Sequence, residues 1–325
     1  MKTIPIVLAI AGLALGTLAV AWVGVGHVAE AAFSVGWNGF VLFMAAQIAL
    51  ACVLGAAWCA LTPGTCPRRF ATLVWGRMVR DSSGQLLPFS PVGGFVMGAR
   101  AVSVAGISAA LAAASTLVDV TVEFLAELAF AAIGVVILVV WQPGSTLVIP
   151  AAIGIGVAIV AAVGFLLMQQ GGGPMLRGLA QRIGGERLAG AGERMDRVQT
   201  QLSAIYDRRG RVAAAAALHL LGWFGTGVMS WFGYRLLGMH VPLPAALAIE
   251  ALLHPILTAT FVVPGGLGIQ EVGYASLGAI FGIPPDISLG LSLLRRARDV
   301  ALGVPVLLSW QGLEMRRLRE RVSAG

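Results

Sequence analysis

The sequence predicts an all-α, polytopic integral membrane protein of about seven to nine membrane segments, two of them Pro/Gly-Gly broken or re-entrant hairpins. Three observations carry this. Of the 325 residues, 58% are hydrophobic and only 11% are charged. Mean hydropathy is +0.88. The apolar residues also come in runs long enough to cross a bilayer core at about 20 residues per helix. A soluble domain carries roughly 25% charged residues, so this chain has too few to cover a water-facing surface. Spans and short connections account for the length, which leaves no room for a soluble catalytic domain.

Residues 4–25 form the first apolar run. The run follows Met-Lys-Thr and precedes Ala29-Glu30-Ala31, a small-residue stretch like a cleavage site. Its core of about 22 residues exceeds that of a signal peptide, so a retained first helix is expected. Residues 37–61 are the second. In the basic stretch that follows, Phe70, Leu73, Val74 and Val79 alternate with Arg68, Arg69, Arg77 and Arg80, which predicts a helix lying on the cytoplasmic face.

Pro88, Pro91, Gly93 and Gly94 then open an apolar segment that reaches Ala114, followed by runs at 117–141 and 147–168. If all three crossed, the eight arginines from Arg177 to Arg211 would lie outside, against the positive-inside rule. The segment opened by those prolines and glycines is therefore expected to be broken or re-entrant. Irregular backbone at membrane depth is tolerated only where it is buried in protein or lines a cavity.

The chain divides into an N-terminal membrane half (1–168), a basic cytoplasmic helical linker (169–210) and a C-terminal membrane half with a basic cytoplasmic tail (211–325). The second half reads as helices at 211–237 and 243–263. Pro264-Gly265-Gly266-Leu267-Gly268-Ile269-Gln270-Glu271, an apolar stretch to 283 and a last helix at 287–311 follow.

Seventeen of the 22 basic residues fall in four stretches: Lys2, Arg68 to Arg80, Arg177 to Arg211, and Arg316 to Arg321. These set topology and place both termini in the cytoplasm. They also account for the pI near 10.3. The loops lack the folded basic face with interleaved readers that nucleic-acid binding requires, so no nucleic-acid partner is expected. Cys52 and Cys59 are seven residues apart on one helix and too distant to bridge.

The remaining charges lie in or beside apolar segments, where each costs at least about 2.5–3.5 kcal/mol unless paired or wetted. Asp119, Glu123 and Glu127 recur every four residues as one acidic stripe. Glu127 is expected nearest the aqueous boundary. Arg295, Arg298 and Asp299 share a face of the last helix, with Arg296 turned away. Arg100 and Glu271 each stand five or six residues after a glycine pair, and Glu250 and His254 face one way, one turn apart.

Two similar units emerge, each running proline, Gly-Gly, one ionisable residue, an apolar hairpin and a charged helix, with opposite signs. Such Gly/Pro-interrupted pairs point to a transporter site at a repeat interface. Mutual neutralisation of the charges, fixing helix register, explains the sign complementarity equally well. It explains less well why both units open on glycines. For Arg235, near a helix end, the expectation is snorkelling to the interface.

Enzyme signals are weak. Glu250 and His254 offer two ligands and no third, so neither a metal nor another cofactor is expected. As an acid–base pair they keep an intramembrane transferase open.

Several elements are shared with a known family: Val79-Arg80-Asp81-Ser82 with Leu86-Leu87-Pro88-Phe89 and Gly98-Ala99-Arg100; Asp119-Val120 with Glu123; the Pro264 to Glu271 element; and Arg295-Arg296-Ala297-Arg298-Asp299 before Pro305 and Trp310. In these the chain resembles, over nearly its whole length, the flippase-like family defined by the transmembrane region of lysylphosphatidylglycerol synthases. Within it, the chain is most similar to the membrane proteins encoded with hopanoid-biosynthesis genes. The resemblance implies a lipid-translocating fold that moves a hopanoid, a phospholipid or a lipid-linked intermediate between leaflets. It does not extend to a soluble aminoacyl-transferring domain, so lysyl transfer is not implied.

The expected substrate-binding residues are Arg100, Asp119, Glu123, Glu271, Arg295 and Arg298. Pro88, Gly93, Gly94, Pro264, Gly265, Gly266 and Gly268 form the hairpins, and Glu250 with His254 is a further polar pair. The partners expected are membrane lipids and lipid-biosynthesis enzymes. The alternatives are a non-transporting scaffold for such enzymes and an intramembrane lipid transferase.

Overall fold

A computed structural model describes residues 34–63, 67–87, 90–171, 189–261 and 263–323. The expected first helix, Pro88, and the linker arginines Arg177, Arg182 and Arg187 lie outside the described residues. Among those described, the chain forms ten α-helices, one 3₁₀ turn and no strand. In order they are α1 (Gly36–Leu61), α2 (Pro67–Leu86), α3 (Ser90–Val104), α4 (Ala109–Trp141), α5 (Val148–Gly171), α6 (Ala189–Tyr206), α7 (Arg209–Leu236), α8 (Leu243–Ala259), α9 (Ile269–Ile280) and α10 (Pro285–Ser323).

Four of these, α1, α4, α5 and α7, are long and apolar enough to cross a membrane, and α8 and much of α3 are shorter apolar helices. The outward surface is correspondingly greasy: Trp37, Leu42, Val136, Val140, Ile149, Val160 and Leu167 are all exposed. In water such a surface would be an aggregation liability, whereas in a bilayer it meets its natural solvent. The chain is a multi-pass membrane protein.

The interior is built around α4, which packs against α3, α5, α6, α7 and α8, while α10 packs against α2 and α9. Phe43, Leu138, Tyr234, Ile249, Leu253, Tyr274 and Leu291 fill the largest apolar cluster, drawn from α1, α4, α7, α8, α9 and α10. Close backbone approach matters at several crossings. A Cβ on Gly134 would stand 2.5 Å from that of Ala251, so α4 and α8 touch through glycine and alanine.

The first hairpin differs from its expectation. Gly93 and Gly94 lie inside α3 and do not break it. Gly94 is needed for contact instead: a Cβ there would sit 2.6 Å from the Arg80 carbonyl oxygen. The chain reverses later, at Gly106 (φ 108°), and Ser108, just before α4, caps it by accepting the Leu111 N–H at 3.4 Å with its hydroxyl. At 15 residues α3 is about 22 Å long, short of a core roughly 30 Å thick.

The second hairpin matches its expectation more closely. Pro264–Gly266 is a 3₁₀ turn, and Gly265, Gly266 and Gly268 all have positive φ, a conformation costly for residues with a side chain. The α9 helix that follows has only 12 residues.

The helix α2 also departs from the reading of a surface helix. Leu73, Val79, Arg77 and Arg80 are all buried, so Arg77 and Arg80 point inward, while Arg68 stays exposed. The sequence pattern was amphipathic, but the polar side of α2 faces the acidic stripe of α4.

Candidate functional site: two buried charged clusters

The first cluster joins α2, α4 and α7. Asp119 and Glu123 are one turn apart on α4, and Arg77 and Arg80 are three residues apart on α2, so each pair presents one face. Arg80 Nη1 donates to Asp119 Oδ2 at 2.7 Å, and its Nη2 donates to Glu123 Oε2. Arg77 reaches Glu123 with both terminal nitrogens, at 3.2 and 2.5 Å, and turns its Nε to Asp81 at 2.8 Å. Two-pronged guanidinium–carboxylate pairs of this kind fix geometry as well as charge.

From α7, His219 Nε2 lies 2.9 Å from Asp119 Oδ1. Asp119 and His219 are both fully buried. The other ring nitrogen of His219 has no hydrogen-bond partner among the described residues.

The second cluster joins α7, α8, α9 and α10 around Glu250, which is also fully buried. Arg295 Nη1 donates to Glu250 Oε1 and to Ser230 Oγ, both at 2.9 Å. The hydroxyls of Ser230 and Tyr274 donate to the same carboxylate oxygen. His254 Nε2 stands 3.1 Å from the other oxygen. Glu250 is thus surrounded by donors, an arrangement that holds a carboxylate in place more than it presents one for proton abstraction.

A neighbouring pair fastens the glycine turn. Arg296 binds Glu271 through Nε and Nη2, the latter at 3.0 Å, and donates to the carbonyls of Gly265 and Gly266 at 3.2 and 3.4 Å. Glu271 Oε2 also accepts the Gly268 N–H at 2.8 Å, closing the start of α9. Arg298 pairs with Asp299 at 2.6 Å and donates to Gln47 of α1 at 2.9 Å.

One helix face touches both clusters. His219, Trp223 and Ser230 recur along α7 at spacings of four and seven residues, which is one stripe. Trp223 Nε1 donates to the Glu123 backbone carbonyl at 3.2 Å, and its ring lies edge-on to His254 with centroids 4.7 Å apart. The span from His219 to Ser230 is roughly 16 Å.

Several expected partners are redistributed. Arg100 does not join Asp119 and Glu123; it is exposed on α3 and pairs with Glu314 at 2.5 Å, while Arg77 and Arg80 take the inner position. Glu271 pairs with Arg296, not with Arg295 or Arg298, because the glycine turn brings α9 against the other face of α10. Glu127 is buried and accepts from Thr258 at 2.8 Å, so it does not face an aqueous boundary. Arg235 is exposed at the end of α7 and lies over the Trp231 ring at 4.8 Å.

His219, Ser230 and Tyr274 were not singled out from the sequence. The cost of burying a polar group in an apolar helix would have flagged His219. Ser230 and Tyr274 carry no such signal. No group of three or more His, Cys, Asp or Glu side chains able to hold a metal occurs among the described residues.

Residues 9–306 match the family model of the lysylphosphatidylglycerol synthase TM region. Comparison with curated proteins and with solved structures returns no match.

Proposed function

The chain belongs to the family of the lysylphosphatidylglycerol synthase TM region, and from that premise we propose that it is a lipid flippase or transporter. In this reading it moves a hopanoid, a phospholipid or a lipid-linked intermediate between the leaflets of a bacterial inner membrane, with both termini cytoplasmic. The observation that carries the proposal is the repetition of one arrangement. Each unit pairs a helix too short to span with a buried Arg–carboxylate pair joined by a histidine, Arg80–Asp119–His219 in one and Arg295–Glu250 with the half-buried His254 in the other, with the charge signs exchanged between the helices.

A head group crossing the membrane needs hydrogen-bonding partners where water is absent. An arginine held by a carboxylate is such a partner in reserve: a phosphate or hydroxyl group takes over donors that the carboxylate occupies in the resting state. Exchange of internal for external partners shifts a two-state equilibrium only by the difference in affinity for the two states. The pairs therefore need to be breakable as well as satisfied. Arg296 and Glu271 fasten the glycine turn at Gly265 to Gly268, and in this reading the turn shifts when that pair parts.

The test is transbilayer movement of fluorescent phospholipid and hopanoid analogues in vesicles containing the purified protein. Arg295→Lys and Arg80→Lys keep charge while removing the fork. Wild-type protein is expected to move at least one lipid class, and both variants to move it at least about tenfold more slowly, the equivalent of one charge-assisted hydrogen bond. Unchanged rates in both variants would remove the clusters from the pathway. A new lipid species on mass spectrometry would instead favour intramembrane transfer by Glu250 and His254. Lipid-biosynthesis enzymes co-purifying with a protein that moves no lipid would favour a scaffold.

A further inference from the structure

A groove of about 830 Å³ opens on the outer side of the bundle where α4, α5, α6 and α7 meet, and none of its lining residues belongs to either charged cluster. The α4 and α7 walls are apolar and largely small, with Leu125, Ala126, Ala217 and Leu220 among them, and the polar lining comes from Gln199, Ser203 and Tyr206 of α6 with Asp207 and Arg209 beside them. We infer that this groove is a binding site for an anionic phospholipid, one acyl chain lying between α4 and α7 and the phosphate meeting Arg209.

Length, charge and level agree on that occupant. From Arg209 to Leu220 the wall runs about 16 Å along α7, half of a roughly 30 Å hydrocarbon core and therefore one leaflet deep. The volume lies within the range of about 300–1,000 Å³ typical of small-molecule sites. Among the lining residues Arg209 is the cation and Asp207 its counter-charge, and Arg208 and Arg211 adjoin them in sequence.

The helix α7 starts there. The N–H groups of Arg211 and Val212 bond to the Arg208 carbonyl, so those of Arg209 and Gly210 mark the positive end of its dipole. By the positive-inside rule this end is cytoplasmic, where anionic lipids concentrate. Tyr206, its hydroxyl donating to Gln169 at 2.7 Å, occupies the level usual for an interfacial tyrosine.

The groove also backs onto the first cluster. Val122 and Ala126 line it on α4 and flank Glu123, and Leu220 follows His219 on α7. A lipid held there is one helix face away from the Arg80–Asp119–His219 group. Binding at the groove stands apart from the transport proposal, since a lipid can sit there whether or not the protein moves it.

The test is photolabelling of the full-length protein in phosphatidylcholine vesicles. The probe is phosphatidylglycerol with a diazirine in one acyl chain, and its phosphatidylcholine counterpart is run in parallel. Cross-links located by mass spectrometry are expected to concentrate on residues 125–129 and 213–220. Phosphatidylglycerol is expected to label about fivefold more than phosphatidylcholine, the effect of one arginine at the membrane surface. Arg209→Ala should abolish that preference. Ala217→Trp, at an exposed position, should remove groove labelling while leaving labelling of the outward face of α5 unchanged as the internal reference.

Labelling spread evenly over α5 and the groove, or undiminished in Ala217→Trp, would overturn the site. Equal labelling by the two probes would overturn the anionic head group. A groove that stays unlabelled overturns the inference too, whether residues 4–25 of the chain or a second copy fills it.

Discussion

Glu250 illustrates what a charge in this membrane interior requires. Its carboxylate is met by a guanidinium, an imidazole and two hydroxyls, and no exposed surface remains. Removing one partner of a buried pair leaves the other uncompensated, at a cost of about 3–5 kcal/mol. Glu250→Gln should therefore lower stability by about that amount, measured as the unfolding midpoint in detergent. Glu250→Met combined with Arg295→Met should recover most of it, because both charges leave together.

Gly94 gives a second prediction at the same scale. Gly94→Ala places a methyl 2.6 Å from the Arg80 carbonyl oxygen and should destabilise by about 1–3 kcal/mol. Gly154→Ala, in α5 with nothing within 4 Å, should be neutral or mildly stabilising. An equal effect at both positions would show that α3 does not depend on close approach to Arg80.

Among the elements, α7 connects what the sequence left as separate units. His219 reaches the first cluster, Ser230 the second, and Trp223 touches Glu123 and His254 between them. Two sites that share a packed residue should not be energetically independent. His219→Asn and His254→Asn are expected to show non-additive stability changes, with an interaction term of at least about 0.5 kcal/mol. That term should vanish in a Trp223→Ala background. Additivity in the wild type would mean that the stripe on α7 packs both clusters without linking them.

The acidic stripe of α4 was legible because a four-residue spacing of carboxylates on an apolar helix has one geometric meaning. The inward face of α2 was not. Arg77 and Arg80 alternate with apolar residues as a surface helix would, and only the presence of α4 alongside decides which side is wet. The pairing of Glu271 with Arg296 was not legible for a related reason: helix-face arithmetic places Arg296 apart from Arg295 and Arg298, but the direction from which α9 arrives is set by the turn at Gly265 to Gly268. In the first unit, glycines that resemble a break serve close packing, and the reversal occurs at Gly106.

At the scale of the whole molecule, apolar surface faces outward while two charged clusters are buried inside, an inversion that suits a bilayer. The long apolar helices α1, α4, α5 and α7 were visible as hydropathy alone. The joining of the two units was not, because it depends on contacts such as Trp75 Nε1 donating to Ser309 Oγ at 2.9 Å across most of the chain. If the buried clusters are the route for a head group, they must open during the cycle.

The most direct measurement is the rate at which fluorescent lipid crosses reconstituted vesicles, compared between wild type, Arg80→Lys and Arg295→Lys, with folding checked by unfolding midpoint. Movement by the wild type is expected, with a loss of at least about tenfold in each folded variant. Equal rates in all three proteins would contradict it.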